Sequence, residues 1–399
     1  MISRQKPLLK LALLMLTAGT ISLIGWHGSI VGLAAIPLFV GLWSASGGKA
    51  QAFFISLAYF ATVDRGLIKG AGVFFADQTQ AATYSLPWGL AIWLLPPLVL
   101  SGVWAACWAE KHVAWRAILA TGICAVPPVG LIGWGSPLTA AGSWFPGAGF
   151  LGLILLCLVL GLIAEVPHAE KARRTHSLTS IAGLMVIAML ANLIAPGKPQ
   201  APIGWIGVNT RIGKSDDFYA MTTLQGKVGE QVSKGTKVVV LPETVGGNWD
   251  RNDIHWQFLS EAMQQRKQSA LIGALSRTPA GTWQNTIVGI GALTGTRLVE
   301  RVPVPISMWR PWDSENHIEA NWLGSGVDTV GSNRVVSLVC YEQLLIWPAL
   351  ISASHHPDTL IAIMNGWWAK DTSIPAIQQM ATQSWARLFN WKLVMAVNS

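Results

Sequence analysis

Charge is what this sequence has least of. Only 12% of its 399 residues are Asp, Glu, Lys or Arg, against roughly 25% in an ordinary soluble domain, while 51% are hydrophobic and the mean hydropathy is +0.42. That shortage excludes a wholly soluble globular protein and makes a membrane protein the first reading. Cysteine is scarce too. Of four, Cys107, Cys124 and Cys157 lie inside apolar stretches, where they read as packing residues, and no even-numbered disulfide framework is visible. Basic residues outnumber acidic ones, 28 to 20, but they are dispersed between apolar runs rather than gathered into a stripe, which argues against a nucleic-acid partner. The pair His355-His356 stands before Pro357 with no ligand cluster around it, so it reads as a solvated loop; no metal and no cofactor are expected.

What is there divides near residue 198. Up to that point apolar runs recur at 8–26, 29–46, 50–63, 86–108, 117–134, 147–166 and 178–195, most of them near the roughly 20 residues a bilayer needs. They predict a transmembrane domain over 1–198 of about seven helices. Arg4, Lys6 and Lys10 precede the first run, Lys49 follows the second, Glu110 to Arg116 follow the fourth, and Lys171, Arg173 and Arg174 follow the sixth. With these basic loops cytoplasmic, the N-terminus lies inside and an odd number of spans carries the rest of the chain to the periplasmic side of the inner (cytoplasmic) membrane. The 64–85 loop, with Arg65 and Lys69, runs against this pattern. The first run lacks a small-residue cleavage site and reads as a retained anchor rather than a signal peptide.

The linker Ile194 to Gly204, IAPGKPQAPIG, is rich in Pro and Gly. Beyond it, over 199–399, short apolar runs alternate with longer amphipathic stretches. Ile203–Val208, Lys237–Leu241, Ala270–Leu275, Thr286–Ala292, Val335–Val339, Thr359–Met364 and Leu393–Val397 fit buried strands; Asp217–Ser233, Ile254–Gln268 and Ile374–Asn390 fit helices. Strands separated by helices predict a layered α/β domain.

Two strand ends carry reactive side chains. VVVLPETVGG places Glu243 just past one strand, and RVVSLVCYEQ places Cys340 just past another. Functional groups gather at the carboxyl ends of strands, where loops converge on a crevice. A carboxylate and a thiol meeting there form a base and nucleophile pair suited to attack a carbonyl through a thioester. Taken singly, each residue has a plainer reading. Cys340 serves equally as a small buried apolar residue, Glu243 as a helix N-terminal carboxylate, and Glu342 as the partner of a nearby cation.

Together, LPETVGG, LVCYEQLLIWP and the tail Asn365 to Ser399, which opens NGWW, resemble the motifs of the nitrilase (carbon-nitrogen hydrolase) superfamily, and of apolipoprotein N-acyltransferase in particular. The resemblance implies an α-β-β-α sandwich behind a multi-pass α-helical membrane domain. It makes Glu243 the general base and Cys340 the acyl-carrying nucleophile, with Tyr341, Glu342, Asn365, Trp367 and Trp368 in substrate-binding or oxyanion positions. The family's third member is a lysine before Leu-Val-Pro-Phe-Gly-Glu. Here the segment reads LVERVPVPISMWRPW, with Arg301 as the nearest cation and Glu300 beside it, and Ile306-Ser307-Met308 in place of Phe-Gly-Glu. Arginine supplies charge and donors but does not give up its proton. The acyltransferase's eighth helix also has no counterpart before Ser399.

These departures resemble a divergent branch that serves plasmid conjugation. The resemblance implies a membrane thiol amidase or N-acyltransferase with a membrane phospholipid as acyl donor and an envelope or mating-channel protein as acceptor. The other reading is a catalytically weakened scaffold of the transfer apparatus. The 21 tryptophans fit either. Trp88, Trp93, Trp104, Trp108 and Trp134 are expected near helix ends as an interfacial belt, and Trp309, Trp312, Trp322, Trp367 and Trp368 either rim the site or pack in the core.

Overall fold

The computed structural model describes residues 2–76, 84–195, 197–214, 218–313 and 315–399. The chain divides into two compact units, one of Met1–Lys198, Leu344–Trp347 and Asp371–Asn390, the other of Pro199–Gln343, Pro348–Lys370 and Trp391–Ser399.

The first unit is helical: α1 (Ile2–Gly25), α2 (Leu38–Ser44), α3 (Lys49–Val63), α4 (Leu67–Phe74), α5 (Leu86–Cys107), α6 (Val113–Ile123), α7 (Ala141–Trp144), α8 (Gly149–Glu165) and α9 (Lys171–Ile194). Three helices, α1, α5 and α9, are long and apolar enough to cross a membrane, and a pair bent by 117° at the start of α8 makes a fourth if counted as one span. The remaining apolar runs fold differently. The run 29–46 breaks into a 3₁₀ turn and the short α2, and 117–134 gives way to turns after Ile123, where Pro127, Pro128 and Gly130 interrupt the backbone ladder. The 64–85 segment begins as a 3₁₀ turn and α4; residues 77–83 lie outside the described residues.

The spanning helices show apolar faces outward. Leu9, Leu13 and Leu16 of α1 and Leu190, Leu193 and Ile194 of α9 are exposed, which suits contact with lipid rather than water. Inside, aromatic rings fill the core. Phe39 stacks on Tyr59 with centroids 4.1 Å apart and meets Trp104 edge-on at 5.0 Å. Tyr59 accepts from Trp26 Nε1 at 2.9 Å and donates to the Gly135 carbonyl at 3.0 Å. Trp104, Trp108 and Trp134 are buried, so these three serve packing rather than an interfacial belt.

The second unit is α/β, with β1 (Trp205–Gly207), α10 (Phe218–Ser233), β2 (Val238–Val240), α11 (Trp249–Gln265), β3 (Ser269–Arg277), β4 (Trp283–Gly291), β5 (Arg297–Val299), β6 (Val327–Val330), β7 (Asn333–Val339), α12 (Ile346–Ala353, shared with the first unit), β8 (Thr359–Asn365) and β9 (Lys392–Asn398). Helix α13 (Ile374–Phe389), between β8 and β9, belongs to the helical unit. The strands make two sheets, ordered β1-β2-β3-β4-β5 and β6-β7-β8-β9. β1, β2 and β3 run parallel, as do β7, β8 and β9.

Period-two alternation decides which layer each side chain joins. Val239 and Leu241 face α10 and α11, packing with Leu224, Val228, Trp256 and Met263. Val238 and Val240 point the other way, into a core shared with Val335, Val339, Ile361 and Ile363 of the second sheet. Cys340 joins that inter-sheet core, which brings the ends of β2 and β7 to one crevice.

Candidate active site

Glu243 follows β2 by three residues, and Cys340 follows β7 directly. Cys340 has φ +45°, an uncommon backbone state for a residue with a side chain. Two side chains hold this turn. Glu342 Oε2 accepts from the Val339 N–H at 2.9 Å, and Gln343 Nε2 donates to the carbonyls of Leu338 at 3.1 Å and Ile363 at 2.8 Å.

The thiol donates to the Glu243 carboxylate. That carboxylate is buried and held from two further directions. Asn285 Nδ2, near the start of β4, donates to Oε1 at 2.7 Å, and the Asn365 backbone N–H at the end of β8 donates to Oε2 at 2.8 Å. Asn365 is itself fixed, giving its Nδ2 to Thr244 Oγ1 and accepting from Asn398 Nδ2. Trp368 Nε1 donates to the Asn365 carbonyl. Trp367 lies half-buried with Lys214 Nζ 5.6 Å from its ring centroid, and lines a cavity of about 700 Å³ with Arg211, Ile212, Gly213, Lys370 and Ser399.

The third position differs from the expected cation. Arg301 does not act on the thiol but on Glu342, whose Oε1 accepts from its backbone N–H at 3.0 Å and its Nε at 3.2 Å. Its Nη1 donates to the carbonyls of Gly324 and Ser325 and to Ser352 Oγ. Residues adjacent at a strand end face opposite ways, so Glu300 takes the inward place. Its N–H donates to the Asn285 carbonyl, and its Oε2 accepts from Asn285 Nδ2 at 3.1 Å. Glu342 likewise belongs to the support of the turn, as an ion-pair and backbone anchor, rather than to an oxyanion position.

Burial is the first cause of every shifted protonation here. It pushes the Cys340 thiol well above its ordinary range, and the acidic neighbours Glu243 and Glu300 oppose the thiolate further. Burial raises Glu243 too, but hydrogen bonds from Cys340, Asn285 and the Asn365 N–H pull it back. Glu300 goes well above its usual range through burial and the neighbouring Glu243 and Glu342, with Asn285 alone opposing. The arrangement therefore presents a neutral thiol hydrogen-bonded to a carboxylate, a pair in which proton removal accompanies attack. Among the described residues no group of three or more His, Cys, Asp or Glu is placed to hold a metal ion.

The model of the carbon-nitrogen hydrolase family matches residues 283–387. A probable conjugal transfer protein TraB of Sinorhizobium fredii is 33% identical over 97% of this chain and 98% of its own, and the conjugal transfer protein TraB of Agrobacterium fabrum is 32% identical over 98% and 93%. The chain belongs to the TraB family of conjugal transfer proteins. Its second unit is a nitrilase-like carbon-nitrogen hydrolase domain. Solved structures similar to part of the chain include a mutant amidase of Nesterenkonia sp. AN1 carrying acrylamide on its active-site cysteine, at 12% identity over 49% of this chain and 77% of that one with a TM-score of 0.36. A carbon-nitrogen hydrolase of Helicobacter pylori is also 12% identical, over 49% and 72%, with a TM-score of 0.38.

Sequence reasoning missed Asn285. The signal was present as the second of two adjacent amides, Gln284 and Asn285, opening the otherwise apolar strand WQNTIVGI; Asn285 is fully buried in the structure, where a polar side chain must find partners.

Proposed function

We propose that this protein is a membrane-embedded thiol amidase or N-acyltransferase of the plasmid transfer apparatus. The observation that carries the reading is the thiol–carboxylate pair of Cys340 and Glu243, with both Glu243 oxygens held by N–H donors. Glu243 takes the thiol proton as Sγ attacks an acyl carbonyl, and returns it to the leaving group. The resulting thioester at Cys340 is then resolved by an amine or water activated by the same carboxylate. The Tyr341 N–H, following the nucleophile in its turn, is the backbone oxyanion donor in this scheme. A membrane phospholipid is the acyl donor and an envelope or mating-channel protein the acceptor, with Trp367 and Trp368 at the rim.

The protein sits in the inner membrane as a multi-pass chain with the α/β unit in the periplasm. Arg4, Lys6 and Lys10, in the N-terminal turns of α1, favour a cytoplasmic N-terminus, and three helices long and apolar enough to span, an odd number, carry the α/β unit across. Reporter fusions at the C-terminus test this: periplasmic activity is expected, and cytoplasmic activity, as four spans would give, overturns it.

The chemistry is tested by intact mass in phospholipid micelles, wild type beside Cys340→Ala, before and after neutral hydroxylamine. An acyl-sized, hydroxylamine-labile mass on the wild type alone is expected. The second reading, a catalytically weakened scaffold, is favoured by one observation: Arg301, the cation expected at the third position, pairs with Glu342. Absence of the adduct together with plasmid transfer supported by Cys340→Ala selects it.

A further inference from the structure

The carboxyl pair Glu243 and Glu300 is bridged by a single amide. Asn285 Nδ2 donates 2.7 Å to Glu243 Oε1 and 3.1 Å to Glu300 Oε2. The two carboxyls are not held alike. Glu243 receives a second N–H, from Asn365, and the thiol hydrogen as well, whereas Glu300 Oε1 is buried with no hydrogen-bond partner among the described residues. Donors stabilise the charged form of a carboxyl, and a buried oxygen without one favours the neutral acid. Two neighbouring carboxyls in a buried site do not both ionise. The guanidinium of the adjacent Arg301 pairs with Glu342. Among the described residues, the groups facing Glu300 are Glu243, Glu342, Cys340 and Asn285, none of them a cation.

We infer that Glu300 is a catalytic residue, held protonated in the lysine's place, whose O–H donates a hydrogen bond to the oxygen of the substrate carbonyl as Cys340 attacks. The inference rests on the thioester reading above. Sγ bonds to the carbonyl carbon while its proton passes to Glu243, and the π pair moves onto oxygen, where the Glu300 O–H meets it. On collapse the pair returns, the C–N or C–O bond breaks, Glu243 protonates the leaving group and Glu300 retains its hydrogen. A neutral acid does here what a cation does by charge. It adds no ionic attraction for the thiolate, which is why the thiol stays neutral until attack.

The test compares two reactions of the full-length protein in detergent. p-Nitrophenyl butyrate acylates the thiol and develops an oxyanion; iodoacetamide alkylates it and develops none. Nitrophenolate bursts and intact mass are followed across pH for wild type, Cys340→Ala, Glu300→Gln and Glu300→Ala. The isosteric Glu300→Gln serves if Glu300→Ala does not fold. Expected are a loss of acylation of about 10²-fold in Glu300→Ala, in the range of a deleted oxyanion donor, and a smaller loss in Glu300→Gln. The wild-type rate falls at alkaline pH as Glu300 ionises, and Glu300→Gln abolishes that fall. Acylation of Glu300→Ala within threefold of wild type, or an alkaline fall that persists in Glu300→Gln, overturns the role of Glu300 and leaves the Cys340 nucleophile standing. A wild-type thiol that neither acylates nor alkylates overturns the nucleophile reading and this inference with it.

Discussion

Arg301 and Glu342 form a buried ion pair, Nε to Oε1 at 3.2 Å, with side chains 4% and 0% exposed. Glu342 also accepts the N–H of Val339, the residue before the nucleophile, so the pair ties the end of β5 to the turn that presents Cys340. Removing one member of such a pair leaves an uncompensated charge and typically costs about 3–5 kcal/mol. Arg301→Ala is expected to lower the thermal unfolding midpoint strongly. The double replacement with Glu342→Ala should lose less than the sum of the singles. Purely additive losses in circular dichroism melts would show that the pair is not coupled.

Glu243→Gln tests the base. The amide keeps the shape but leaves an acceptor for only one of the two donors, Asn285 Nδ2 on Oε1 or the Asn365 N–H on Oε2, turns an NH2 toward the other, and cannot take the thiol proton. General-base catalysis typically contributes about 10²–10⁴-fold. The burst from p-nitrophenyl butyrate is expected to slow by that order, with a melting temperature that falls by no more than one unpaired buried N–H costs, about 1–3 kcal/mol. A burst within tenfold of wild type would mean that another group removes the proton.

The strands that bury both faces were legible, because runs such as Val335–Val339 and Thr359–Met364 are apolar and bounded by turns; β7 and β8 contain them. The short edge strands β5 and β6 were not, since Arg297 and Asp328 interrupt any apolar pattern. Helix α11 starts five residues earlier than its apolar pattern, at Trp249, where Asn248 caps the Asp250 N–H. At the site, Glu243 and Cys340 could be read because strand ends are where chemistry collects. Which of Glu300 and Arg301 faces the thiol depends on the phase of the strand end, and a one-residue shift there exchanges inside for outside. Among the described residues fewer helices reach span length than the apolar runs suggested, for a related reason: runs of 14 to 18 residues such as 50–63 and 29–46 suit a helix packed inside a bundle as well as one in lipid.

Protonation of Glu300 carries a stability signature. Its folded-state affinity for a proton is raised by burial and by Glu243 and Glu342, while in the unfolded chain it ionises near about pH 4.3. Its contribution is therefore fully present below that pH and is lost as pH rises toward the folded value. Glu300→Gln removes the dependence. The variant is expected to gain little in melting temperature at pH 4 and more as pH rises above the usual carboxylate range. A gain independent of pH would mean that Glu300 titrates alike in both states.

Within the helical unit, Gly142 of α7 lies against the backbone of α13. A Cβ there would stand 1.9 Å from the Ser384 carbonyl oxygen and 2.7 Å from its Oγ. Ser384 Oγ in turn donates to the Thr139 carbonyl at 2.5 Å, and Arg387 Nε donates to the Gly142 carbonyl at 3.2 Å while its Nη2 reaches Asn192 Oδ1 on α9. The clash is with main chain that these bonds hold in place, so it cannot be relieved by turning a side chain. Gly142→Ala should cost at least the roughly 1–3 kcal/mol of ordinary overpacking. Gly102 of α5 is the control, because a Cβ there meets nothing within 4 Å, and Gly102→Ala changes only helix propensity, by up to about 1 kcal/mol in the stabilising direction. Detergent melts of the two variants should move in opposite directions; equal shifts would mean that α13 does not rest on Gly142.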